Sequence, residues 1–223
     1  MYKRGFTLVE LLIVITIILF IIALVIPSVA MIQAKANQVK CANNMKQIGT
    51  AFLTYATDYN SKLPSAVFRA DKYGSWLNGE GGRDEEAIKT GGIYSYLQNP
   101  LAYLCPTDDG PVDPVTGDIV DPICSYTMNM KVSRRSPAMN PGLVSKIIVL
   151  VEESGETILD PPSGGGDENL GAFEKTDRVA LRHSDHCNVL YLDWRVEPIK
   201  LDEAVTADDD IFGVKREDLI KDE

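Results

Sequence analysis

From Phe6 to Ala30 the chain reads FTLVELLIVITIILFIIALVIPSVA, and Glu10 is its only ionisable side chain. A helix over this run, rising about 1.5 Å per residue, crosses a hydrocarbon core about 30 Å thick. The fold must therefore begin with one membrane-spanning helix. Tyr2, Lys3 and Arg4 stand before it, so the positive-inside rule leaves the N-terminus in the cytoplasm and carries the rest across. The formal net charge of −10 belongs to that exported part. Such an acidic domain is unsuited to bulk phosphate-backbone binding, which draws on clustered Lys and Arg, so no nucleic-acid partner is expected.

Glu10 needs a reason. A charge near a bilayer centre costs about 2.5–3.5 kcal/mol on insertion scales and marks a functional partner. A secretory signal would place a small-residue cleavage site after its apolar stretch, but here the glycine comes before it, at Gly5. Cleavage between Gly5 and Phe6 would remove Lys3 and Arg4, free an amine on Phe6 and leave the helix attached. Glu10 lies four residues further on, where in a bundle it can face the amine of a neighbouring copy. Each partner of such a pair is costly alone, so the pair would set axial register between subunits.

The segment Gly5-Phe6-Thr7-Leu8-Val9-Glu10 resembles the cleavage and methylation motif of type IV pilins and type II secretion pseudopilins. The resemblance implies processing by prepilin peptidase after Gly5, N-methylation of Phe6, and assembly by packing of helices that include Phe6, Glu10 and Pro27. It also implies partners: copies of itself or other pilins and pseudopilins, and an inner-membrane assembly platform. The location follows as single-pass in the inner membrane before assembly, then in a cell-surface or periplasmic filament.

Four segments are expected: a leader over 1–5, a transmembrane and filament-core helix over 6–30, its amphipathic continuation over 31–59, and an extracytoplasmic domain over 60–223. The continuation rests on Cys41, Met45, Ile48, Phe52, Tyr55 and Tyr59, which recur at steps of four and three as one apolar stripe. Gly49 interrupts it at a cost of about 1 kcal/mol against Ala. The polar run before Pro64 ends it. Short helices are expected around 84–89 and 92–98, a buried strand over 145–154, and two strand-like pieces about Asp193-Trp194. The fold class is α+β, a long N-terminal transmembrane helix packed on a small antiparallel sheet, with a pilin-like arrangement implied by the resemblance.

Cys41, Cys105, Cys124 and Cys187 all fall on the exported side, where disulfides persist, and three full pairings are open. Cys105 with Cys124 is favoured, since it would close a turn-rich loop and stabilise by about 3 kcal/mol. Cys41 and Cys187 would then pair or remain buried thiols. That loop carries Asp108, Asp109, Asp113 and Asp118 among prolines. Its oxygens suit calcium as an ion, though not at EF-hand spacing, and no other cofactor is expected.

His183 and Asp193, in RHSDHCNVLYLDW, resemble the His-x9-Asp-Gly segment of a bacterial prepilin-type family, with Trp194 in place of the glycine. An Asp-Gly pair favours a tight hairpin with positive φ, so tryptophan there implies a longer or different turn. His183 and His186 also offer metal ligands, but three residues apart on an extended segment they would point to opposite faces. No hydrolase, metalloprotease, phosphate-loop or dinucleotide motif occurs in the chain, so no enzyme is expected. The leading expectation is a filament subunit. The alternative is a membrane-tethered extracytoplasmic domain that binds a ligand or metal.

Overall fold

A computed structural model describes residues 7–66, 74–77, 85–110, 124–138, 141–153, 172–173 and 179–200. Two compact units make up the chain, Met1–Asn37 and Gln38–Glu223. Helix α1 spans Leu8–Asp58 and continues through Pro27. It ends where the sequence breaks its pattern. Asn60 and Ser61 adopt positive φ, and the Ser61 amide reaches back to the Ala56 carbonyl at 2.8 Å, closing the last turn with a six-to-one bond.

In the first unit the apolar side chains of α1, from Leu8 to Ile32, stand exposed. In the second, the expected stripe is buried: Cys41, Met45, Ile48, Phe52 and Tyr55 all lie in the core, with Tyr59 half-buried at its end. Short helices α2 (Glu85–Lys89), α3 (Tyr94–Leu97) and α4 (Pro141–Val144) follow.

The sheet comprises β1 (Tyr126–Asn129), β2 (Ile148–Glu152), β3 (Ala172–Phe173), β4 (His186–Tyr191) and β5 (Val196–Lys200). Its order is β3-β1-β2-β4-β5. Strands β1, β2, β4 and β5 form the expected antiparallel sheet, and β3 adds a parallel edge to β1. β2 is buried throughout, which is why its run from Ile148 to Val151 is continuously apolar rather than alternating, with Glu152 at its end. Val149 and Leu150 join the cluster that contains the α1 stripe, while Ile148 and Val151 pack with Val179, Cys187 and Val189.

The β4–β5 hairpin has the longer turn expected in place of a two-residue Asp-Gly one, but its backbone departs from expectation. Trp194 does adopt positive φ, 66°, and the turn is tight: the Trp194 amide bonds the Tyr191 carbonyl at 2.9 Å, as the Tyr191 amide bonds Arg195. This is a three-residue loop with a left-handed final residue, the position usually given to glycine. Gly49 of α1 supplies the compensation, since a Cβ there would lie 3.2 Å from Leu190 and 3.3 Å from the Trp194 ring. The helix lacks a side chain where the hairpin needs room.

Candidate functional site

Among the described residues, the start of α1 and one buried cluster bear most directly on function, and they are built differently. At the start of α1, Thr7 and Glu10 cap the helix reciprocally. The Glu10 carboxylate accepts from the Thr7 backbone amide at 2.8 Å and from its hydroxyl at 2.7 Å, while the Glu10 amide donates to the Thr7 hydroxyl at 3.3 Å. Thr-x-x-Glu is the capping-box pattern, so the carboxylate has a local job within the helix. Both bonds fall on Oε2. Gly5 and Phe6 lie outside the described residues. Pro27 sits within the exposed apolar part of α1.

The second place is a closed cluster in the domain. Cys41 comes from α1, Cys105 from the segment after the 3-10 helix Pro100–Tyr103, Glu152 from the end of β2, and His183 from the turn before β4. All four are buried, and one ligand atom from each lies within 4.8 Å of the others. His183 Nε2 is 3.0 Å from Glu152 Oε1 and 3.4 Å from Cys105 Sγ, and the Cys41 thiol donates to Glu152 Oε1. The other Glu152 oxygen accepts the Asn188 backbone amide at 2.9 Å.

Local sequence explains how His183 arrives there. Ser184 and Asp185 both adopt positive φ, 53° and 63°, and the backbones of His183 and His186 bond each other across them. That is a two-residue turn with both centre residues left-handed, a geometry in which Asp is well tolerated. The ring of His183 is turned inward; His186 Nδ1 instead contacts the Ser184 carbonyl at 2.7 Å. The two histidines do not share a site.

Within the cluster, the bond from Cys41 and then that from His183 outweigh burial and hold the Cys105 thiol down at about 5. Burial opposes charge on His183, but Cys105 and Glu152 outweigh it and hold the imidazole up at about 9. Burial pushes the Cys41 thiol far up. A thiol held low and an imidazole held high thus meet where water is excluded.

The expected Cys105–Cys124 disulfide is absent. All four cysteines are free thiols: Cys105 Sγ faces His183, whereas Cys124 Sγ turns back to the Tyr126 carbonyl at 3.1 Å. Nor do Cys41 and Cys187 pair, since Cys187 Sγ bonds its neighbour's carbonyl, that of Asn188, at 3.2 Å.

Of the acidic loop, Asp113 and Asp118 lie outside the described residues. Asp108 pairs with Arg182 at 2.9 Å, and Asp109 is exposed. Asp193 stands at the far end of β4 from His183 and accepts the Arg195 amide at 3.1 Å, so the nine-residue spacing measures one strand with a turn at each end. Sequence reasoning missed Glu152 and the role of Cys41. The available signal was Glu152 itself, a carboxylate ending a wholly apolar strand.

Residues 1–26 match the family described as prokaryotic N-terminal methylation motif. No curated protein and no solved structure matches the chain. The motif marks a type IV pilin-like substrate of prepilin peptidase, and with the apolar helix it marks a membrane-anchored protein. The α+β arrangement of long helix and antiparallel sheet is pilin-like.

Proposed function

We propose that this chain, carrying the prokaryotic N-terminal methylation motif over residues 1–26, is a structural subunit of a type IV pilus-like or type II secretion pseudopilus filament. Its helix waits in the inner membrane, is cut between Gly5 and Phe6 and methylated on Phe6, and then moves into a bundle of like helices at the cell surface or in the periplasm. The observation that carries this reading is the exposed apolar length of α1, Leu8 to Ile32, headed by Glu10. Such a surface needs lipid or other helices against it.

In the bundle, Glu10 receives the Phe6 ammonium of an adjacent subunit. The capping bonds occupy Oε2, which leaves Oε1 for that second donor. Glu10→Gln separates the two jobs, because glutamine keeps a capping box but carries no charge. The expected result is normal insertion and cleavage with loss of filaments. Filaments at the ordinary level from E10Q would reduce Glu10 to a helix cap and overturn the register mechanism.

A further inference from the structure

We propose that Cys41, Cys105, Glu152 and His183 form a closed tetrahedral site for one zinc ion. The inference stands apart from the filament reading, because all four residues belong to the second compact unit. Zinc bonds sulfur at about 2.3 Å and nitrogen or oxygen at about 2.0–2.2 Å, so its ligand atoms sit about 3.3–3.8 Å apart. Here the imidazole nitrogen is 3.4 Å from the Cys105 sulfur and 3.0 Å from the carboxylate oxygen, and the whole set fits within 4.8 Å.

The donor chemistry selects the metal. Two sulfurs exclude calcium and magnesium, which take oxygen ligands, and a compact S2NO set is a tetrahedral arrangement that zinc accepts without geometric cost. Four protein ligands, each buried, leave no open position, which is the pattern of a structural rather than a catalytic site.

The surroundings are those of a built site as well. Tyr126 Oη lies 3.2 Å from the Cys41 sulfur, Thr107 Oγ1 lies 3.1 Å from that of Cys105, and Asn188 holds both oxygens of Glu152 through its backbone amide at 2.9 Å and its side-chain amide at 3.2 Å. Ligand groups oriented by such outer bonds bind a metal more tightly. Since the four ligands come from helix, connecting segment, strand and turn, one ion would fasten the buried part of α1 to the sheet.

The test uses the full chain purified in detergent from cells grown with ordinary trace metals. Elemental analysis should find about one zinc per chain, retained in Cys187→Ser and His186→Ala and lost in the Cys41→Ser/Cys105→Ser double variant. Because that variant could fail for lack of folding, wild-type protein stripped of zinc is also titrated with Co²⁺. Tetrahedral visible absorption with a thiolate charge-transfer band is expected. Wild type that neither holds zinc nor gives that spectrum overturns the proposal, as does zinc that survives the double substitution. A Cys41–Cys105 disulfide in protein purified without reductant overturns it too.

Discussion

The Nε2 atom of His183 lies 3.0 Å from Oε1 of Glu152, with both side chains closed to solvent. A turn and a strand end meet there, closed to the water that would make a charge cheap. Removing one partner leaves the other buried and uncompensated, which costs about 3–5 kcal/mol. Glu152→Ala and His183→Ala should each lose stability on that scale, and the double variant should lose clearly less than their sum. Denaturation in detergent, followed by the fluorescence of buried Trp76, measures all three. Strict additivity would show that the two do not interact.

Trp194 sits at φ 66°, where an L side chain is strained by about 1–2 kcal/mol. Replacing it with Ala and with Gly removes the ring in both cases, so their difference isolates the backbone. Trp194→Gly should be more stable than Trp194→Ala by about 1 kcal/mol. Equal stabilities would mean that the hairpin relaxes to another turn once the ring is gone.

Gly49 faces Leu190 and the Trp194 ring at distances that a Cβ would make 3.2–3.3 Å. A larger residue overpacks the contact. Gly49→Val should destabilise by about 2 kcal/mol, despite glycine being the poorer helix former, because overpacking a filled core costs about 1–3 kcal/mol. A stabilised variant would show that helix and hairpin can separate there freely. Midpoint shifts in the same denaturation experiment decide between the two.

Cys41, Cys105, Cys124 and Cys187 are free and buried. Under native conditions none should react with a maleimide on the timescale of minutes, and after denaturation with chelator but no reductant all four should. Thiols that still resist once the chain is unfolded would reveal disulfides, and peptide mapping would name the pair.

The parts of this fold legible in the sequence are those set by local pattern. The α1 stripe from Cys41 to Tyr55 repeats at helical spacing and is buried as expected, and the apolar run of Ile148 to Val151 is a central strand. The stop at Asn60 is likewise local. What the pattern does not contain is which distant segments meet. Cys41, Cys105, Glu152 and His183 are far apart along the chain and converge only through the order of the sheet and the packing of α1 upon it. Cys105 and Cys124 bracket one loop, which invites pairing, yet the side-chain directions send one to His183 and the other to the Tyr126 carbonyl. Glu152, like Glu10, is a carboxylate at an apolar run, and its position alone marks it as conspicuous.

The filament reading is tested most directly by the N-terminus of the protein in material sheared from cells that produce it. Mass spectrometry should find a peptide beginning at N-methylated Phe6, in the sheared fraction and in amounts comparable with the rest of the chain. A chain that keeps Met1 and stays entirely in the membrane would contradict the account.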